Sequence, residues 1–115
     1  MAAVGVKRIY EVVEADDGKR VLVDRIWPRG VSRDRARLDV WMPEVAPSHE
    51  LRKWFDHTAE RWVEFQARYG AELVDSPHLA ELAALTAAGP LTLLYSARDT
   101  QYNQAVALAA ILDEH

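Results

Sequence analysis

The sequence predicts an α/β fold: a small sheet of three to four strands, mostly parallel or mixed, flanked by four to five helices in one layer-packed domain spanning residues 1–115. The continuous apolar run at residues 21–23 indicates a strand that is buried on both faces, as in parallel sheets, and residues 91–95 are predicted to be a second buried strand. The C-terminal order of helix, strand and helix is typical of α/β domains. A chain of 115 residues fits one such domain.

The N-terminal part predicts two strands joined by a turn. Residues 7–13 are rich in β-branched and aromatic side chains, which favour a strand. Residues 15–18 end in Gly18, which tolerates a positive φ angle and so favours a turn before the second strand at residues 21–23. The Asp-Gly turn also permits a simple antiparallel hairpin between these strands.

The middle of the chain predicts two helices after an ambiguous segment. Residues 32–47 fit a short helix or an extended segment, and Pro43 and Pro47 exclude a long helix. Ser48 is a predicted N-cap, and Thr58 is predicted to begin the next helix.

The C-terminal third predicts a helix, a strand and a final helix. Ser76 precedes a proline at the favoured first helical position, and Gly89 ends that helix. Residues 91–95 form the predicted strand, and Thr100 or Asp99 is the predicted N-cap of the last helix.

Charge is unevenly distributed along the chain. The net charge is -4, from 14 basic and 18 acidic residues. Residues 19–37 hold seven basic side chains against two acidic ones, a local excess of five positive charges in an acidic protein. Phosphate neutralisation supplies most of the non-specific affinity for nucleic acid, so an acidic domain is a poor non-specific binder. We expect any nucleic-acid contact to be weak and without sequence specificity. A local anion site remains compatible with this pattern.

Several chemistries lack the residues that they need. The chain has no cysteine, which excludes disulfides, thiolate catalysis and cysteine-ligated metal. Its four histidines show no metal-binding spacing, and no phosphate-binding glycine motif is present. His57 follows Asp56, but its place at a helix start favours solvent exposure over a role as an oriented base. We expect no metal, no cofactor, no membrane span, no signal peptide and a cytoplasmic location.

Several sequence blocks carry a resemblance to a known family. They are residues 20–30, which read RVLVDRIWPRG, residues 46–48, 50–55 and 91–99, and Asn103. In these blocks the chain resembles the YeaO-like branch of the family called domain of unknown function 488, over nearly its whole length. The resemblance implies no agreed activity.

The chain departs from that family in two places. Close relatives often read Asn-His-Ala early in the last helix, whereas this chain reads Asn103-Gln104-Ala105. More distant relatives often carry cysteines around the last strand and helix, and this chain has none. A family mechanism that uses either group cannot operate here.

One candidate site combines the ends of the two buried strands. If the strands are parallel, their carboxyl ends meet where α/β sheets bind ligands. The predicted ligand-binding residues are Asp24, Arg25, Trp27, Arg29, Tyr95, Arg98 and Asn103. Arg25, Arg29 and Arg98 are predicted to converge on a phosphate or carboxylate beside the N-terminus of the last helix.

The same residues permit a structural interpretation. Asp24 would then pair with Arg98 or Arg25 and join the two strand ends. Trp27 is more typical of packing than of stacking on a base or sugar.

Two functions fit these observations. In the first, the domain binds a small anionic ligand, a nucleotide or phosphorylated metabolite, and Asp24 is the one acid or base available for hydrolysis or group transfer. In the second, it is a non-catalytic regulatory or interaction domain with weak nucleic-acid contact through residues 19–37. A concave pocket at the strand ends favours the first, and a flat basic surface favours the second.

Overall fold

A parallel four-stranded sheet lies at the centre of the computed structural model, which describes residues 4–114. Its strands are β1 (Val4–Arg8), β2 (Lys19–Leu22), β3 (Val40–Trp41) and β4 (Leu91–Tyr95). The strand order is β1-β4-β2-β3, and every neighbouring pair is parallel. The predicted α/β class is therefore confirmed. An antiparallel hairpin of the first two strands is wrong, because β4 lies between them.

The two apolar runs form the centre of the sheet. Val21 pairs with Leu93 and Leu22 with Leu94, and all five residues of β4 are buried. β1 begins and ends earlier than the predicted range of 7–13. It ends at Arg8 because its partner strand ends at Tyr95, after which the chain turns away.

Helices cover both faces of the sheet. They are α1 (Arg33–Ala36), α2 (His49–Phe55), α3 (Trp62–Leu73), α4 (Pro77–Ala88) and α5 (Gln104–Asp113). Val21 and Leu93 pack with buried side chains of α2 to α5, whereas Leu22 and Leu94 point to the other face and pack with Ala36 of α1. Within residues 4–114, no helix combines the length and apolar character needed to cross a membrane.

Two of the predicted helix starts are confirmed by their N-cap residues. The Ser48 hydroxyl accepts from Leu51 N–H, and the Ser76 hydroxyl accepts from Leu79 N–H, as expected for N-caps. At Thr58 the chain first makes a 3-10 turn, Ala59–Arg61, before α3 begins.

The predicted N-cap of the last helix is wrong. Asn103, not Asp99 or Thr100, caps α5 through its side-chain oxygen, which accepts from Val106 N–H at 3.0 Å. Asp99 instead accepts from the N–H groups of Gln101 and Tyr102, both at 2.9 Å, and so shapes the preceding loop. The Asn103 amide nitrogen donates to the Asp99 carbonyl, which joins the cap to that loop.

Replacing the buried Asn103 with alanine is expected to lower the free energy of unfolding by about 1–2 kcal/mol, because α5 loses its N-cap. Urea denaturation measures this. Thr100→Ala is the control: Thr100 is exposed, and its replacement is expected to change stability by less than about 0.5 kcal/mol. Equal losses in the two variants would contradict the assignment of Asn103 as the cap.

A buried ionic cluster fixes the opposite end of β2. The Arg20 guanidinium contacts the Asp17 carboxylate at 2.6 Å and donates twice to the Ala36 carbonyl, while Lys7 contacts the other Asp17 oxygen at 3.0 Å. Arg20 is 4% exposed and Asp17 is 8% exposed. The cluster therefore ties β1, β2 and α1 together away from the carboxyl ends of the strands.

Candidate functional site

A cavity of about 290 Å³ lies at the carboxyl ends of β2 and β4, and we call it the strand-end cavity. Residues 24–29 form one part of its lining, residues 46 and 47 with Arg52 and His57 a second, and residues 96 and 97 with Gln104 a third. Ligands of α/β sheets bind at this position relative to the strands. The region is a concavity rather than a flat basic surface.

Asp24 joins the elements around this cavity. One carboxylate oxygen accepts from Ser96 N–H at 3.1 Å and from the Ser96 hydroxyl at 2.5 Å. The other accepts from the Gln104 side-chain amide at 2.6 Å. Asp24 forms no ion pair with any side chain of residues 4–114, so the predicted pairing with Arg25 or Arg98 is wrong. The carboxylate links the ends of β2 and β4 to the first turn of α5.

Burial governs the ionisation of Asp24. Loss of solvent raises the pKa of this carboxyl group, and the hydrogen bonds from Ser96 and Gln104 and the positive charge of Arg52 oppose that rise without cancelling it. Three of the roughly four acceptor sites of this carboxylate are used by hydrogen bonds from Ser96 and Gln104, which fixes its orientation across the two strand ends.

The arginines of the cavity differ in whether their guanidinium groups already form hydrogen bonds within the fold. Arg25 donates to the carbonyls of Ala46 and Pro47 at 3.0–3.3 Å, which holds the second part of the lining against the first. The guanidinium groups of Arg29 and Arg52 form no hydrogen bond or ion pair with other residues in the range 4–114. These two cations are therefore available to a ligand.

The structure brings together four of the seven predicted site residues: Asp24, Arg25, Trp27 and Arg29 line the cavity, while Tyr95, Arg98 and Asn103 do not. Tyr95 is buried in the sheet, and burial raises the pKa of its hydroxyl. Arg98 is exposed outside the cavity, so the three predicted arginines do not converge.

Trp27 lines the cavity and is held by packing. Its indole N–H donates to the Val31 carbonyl at 2.7 Å, and its ring meets that of Trp41 edge-on at 5.4 Å. The Arg33 guanidinium lies over the same ring, 4.8 Å from its centroid. These contacts support the packing interpretation.

Sequence reasoning missed the four other polar residues of the cavity lining: Arg52, His57, Ser96 and Gln104. Ser96 directly follows β4, and Gln104 directly follows the α5 cap. Their positions next to the end of β4 were the sequence signal that could have placed them in the cavity. Arg52 had no such signal, because α2 is brought to the cavity by tertiary packing.

His57 is exposed but held in a defined orientation. Its Nδ1 lies 2.8 Å from the Tyr102 carbonyl oxygen, which assigns the hydrogen of the neutral ring to Nδ1 and leaves Nε2 as the acceptor. Asp56 and His57 both adopt left-handed backbone conformations, with φ of 46° and 49°. Such conformations cost about 1 kcal/mol or more per residue and cluster at functional sites. Asp and His tolerate left-handed backbone conformations better than most residues. The adjacent Asp56 and His57 were therefore the sequence signal for this turn.

Within residues 4–114, no group of three or more His, Asp or Glu side chains is placed to hold a metal ion. The site offers cationic and hydrogen-bonding groups around a small cavity, which suits an anion.

Comparisons with known proteins place the sequence among relatives that share nearly its whole length. Residues 3–115 match a family described as the inactive DUF488-N3 subclade. The chain is 47% identical over 110 residues to an uncharacterised protein of Mycobacterium tuberculosis (strain H37Rv), covering 96% of this chain and 93% of the relative. It is 44% identical over 104 residues to the uncharacterised protein YeaO of Escherichia coli (strain K12), covering 90% of each. No solved structure matches this chain significantly.

Proposed function

This chain belongs to the YeaO-like DUF488 family, and we propose that it binds a small anionic ligand, a nucleotide or phosphorylated metabolite, in the strand-end cavity without transforming it. One observation carries the proposal. Arg29 and Arg52 line a partly open concavity, and neither guanidinium forms a hydrogen bond or ion pair with another residue within 4–114. Arginine binds phosphate and carboxylate groups with paired hydrogen bonds, which makes such a cavity suitable for them.

Neighbouring groups support the same ligand class. α5 begins at Gln104, a cavity residue, so the positive end of the helix dipole adjoins the cavity. His57 also lines the cavity, with its ring oriented by the contact between Nδ1 and the Tyr102 carbonyl. A ligand phosphate would therefore meet two guanidinium groups beside a helix N-terminus.

Binding without reaction is the form of the proposal that the site supports best. Asp24, the acid or base suggested by sequence, already accepts three hydrogen bonds from Ser96 and Gln104, which give it a structural role between the strand ends and α5. The matching family is described as inactive, which agrees with binding without reaction.

The alternative nucleic-acid function receives less support. Three of the basic residues in the segment 19–37 have partners in the fold: Arg20 pairs with buried Asp17, Arg25 binds backbone carbonyls and Arg33 covers Trp27. The positive charge left for phosphates is smaller than the sequence suggests, in a chain of net charge -4. We further propose a cytoplasmic location, which suits a chain without cysteine.

Inorganic phosphate and pyrophosphate are expected to stabilise the protein against thermal unfolding, by about 2.7 kcal/mol at roughly 100 times the dissociation constant. Arg29→Gln and Arg52→Gln are each expected to weaken pyrophosphate binding by about 10- to 100-fold, because each removes a charge-assisted hydrogen bond. Isothermal titration calorimetry measures the change.

Arg98→Gln is the matched control, because it removes the same charge from an exposed arginine outside the cavity. Its affinity for pyrophosphate is expected to equal that of the wild type. An equal loss in all three variants would indicate non-specific attraction, and the absence of any phosphate binding would refute the proposed function.

A further inference from the structure

A second cavity, of about 440 Å³, adjoins the strand-end cavity, and we call it the α2 cavity. The two share Pro47, Arg52, His57 and Gln104 in their linings. Arg52 and His57 therefore stand at the boundary between two compartments. A ligand that fills both would contact each of these side chains.

The two compartments differ in chemistry. Arg25 and Arg29 line only the strand-end cavity, whereas Phe55 and Phe65 line only the α2 cavity. The two phenylalanine rings stack with centroids 4.2 Å apart and an interplanar angle of 17°. Both residues are almost fully buried, at 3% and 1% exposure, so this aromatic wall is rigid but exposes little ring surface. The exposed groups that can stack on a ligand are Arg52 and His57.

The boundary residues suit a flat partner. A guanidinium plane and an imidazole ring both stack on aromatic groups, and arginine also binds phosphate at its edge. His57 is fixed beside this wall: its ring centroid lies 5.7 Å from that of Phe55, and its Nδ1 lies beside the Tyr102 carbonyl. The left-handed backbone at Asp56 and His57 sets this ring in place between the compartments.

We propose that the two cavities form one bipartite site for a ligand that joins an anionic group to a planar aromatic ring, as a nucleoside monophosphate does. The anion occupies the strand-end cavity, and the ring enters the α2 cavity beside Phe55, Phe65 and His57. This inference rests on the proposed function and narrows it to aromatic phosphates, in preference to sugar phosphates. The volume of the α2 cavity lies within the range of small-molecule pockets, roughly 300–1,000 Å³.

Two matched pairs of ligands test the inference by calorimetry: AMP with ribose 5-phosphate, and phenyl phosphate with inorganic phosphate. Each pair shares its phosphate group and differs in the ring. The aromatic member is expected to bind about 10- to 100-fold more tightly, which is the range that stacking of one base contributes.

A cavity-filling variant locates the ring. His49 is exposed, lines only the α2 cavity and starts a helix, so His49→Trp is expected to abolish the advantage of AMP while ribose 5-phosphate binds as in the wild type. His78→Trp is the control, because it makes the same change near the start of α4 outside both cavities and should leave the advantage intact. Thermal unfolding of both variants would be measured first, to check that each one folds.

The outcomes separate the two proposals. If ribose 5-phosphate and inorganic phosphate bind as tightly as their aromatic partners, the bipartite site is refuted and anion binding stands. If the advantage of AMP survives in His49→Trp, the ring lies elsewhere and the inference is again overturned. If none of the four ligands binds, the proposed function fails together with it.

Discussion

Replacing Arg20 with methionine is expected to lower the free energy of unfolding by about 3 kcal/mol, measured by urea denaturation at neutral pH. Arg20 is 4% exposed, and its guanidinium contacts the Asp17 carboxylate and the Ala36 carbonyl. Its removal leaves a buried carboxylate with one cation fewer and a buried carbonyl without its donor. The expected loss of stability lies at the lower end of the range for a broken buried ion pair, because Lys7 still contacts Asp17 at 3.0 Å.

Acid titration separates the charge of Arg20 from its packing. Burial acts to raise the pKa of Asp17, but the Glu14 N–H and the cations Lys7 and Arg20 outweigh it and lower that pKa below the ordinary value of 3.8. The stability contributed by this carboxylate is therefore present above pH 3.8 and is lost as the pH falls through the lower folded value. The difference in the free energy of unfolding between wild type and Arg20→Met should therefore become smaller as the pH falls through that window.

Lys19→Met is the matched control, because Lys19 is the exposed neighbour of Arg20 on the same strand. It is expected to change stability by less than about 0.5 kcal/mol. A destabilisation by Arg20→Met that stays constant down to pH 2 would show that Arg20 acts through packing rather than through Asp17.

Replacing Asp24 with alanine is expected to lower the free energy of unfolding by about 2–3 kcal/mol, again measured by urea denaturation. The variant removes three accepted hydrogen bonds and leaves the Ser96 N–H and hydroxyl without their acceptor in a largely buried position. Asp24→Asn is expected to lose about 1 kcal/mol or less. Its carbonyl still accepts from Ser96, and its amide can donate to a rotated Gln104 side chain.

The pH dependence of the Asp24 variants has the opposite sign to that at Asp17. Burial raises the pKa of Asp24 above its ordinary value of 3.8, so the stability contributed by the protonated group is present below pH 3.8 and is lost as the pH rises through the folded value. Asp24→Asn does not ionise, and its stability relative to wild type should therefore improve as the pH rises through that window. Asp113→Ala, at an exposed position, is the control. Equal losses for Asp24→Asn and Asp24→Ala would contradict the hydrogen-bonding role.

Local sequence determined the identity of most elements. The mostly apolar segments at residues 21–23 and 91–95 lie in or next to β2 and β4, because strands covered on both faces of a parallel sheet bury mainly apolar side chains. The buried Thr92 is satisfied by donating to the Asp17 carbonyl. Ser48 and Ser76 became N-caps because their hydroxyls satisfy N–H groups only three residues away. The general place of the candidate site also followed, since parallel strands bring their carboxyl ends to one edge.

Where several residues carry the same local sequence signal, the tertiary structure decided which of them takes the role. Asp99, Thr100 and Asn103 all have side chains that cap helices, and Asn103 took the role because Asp99 shapes the loop. Asp24 has neighbouring arginines in sequence, yet its partners are Ser96 and Gln104, which lie 72 and 80 positions away.

The membership of the candidate site likewise depended on how the helices pack. Arg52 and His57 reach the strand-end cavity because α2 packs beside it, whereas Arg98 lies outside the cavity although it is only three residues beyond β4. The sequence thus determined the fold class, the strand cores and the edge of the sheet where a ligand site would lie. Only the tertiary structure decided the strand order and which cations line the cavity, because both depend on contacts between segments that are distant in sequence and carry no local pattern.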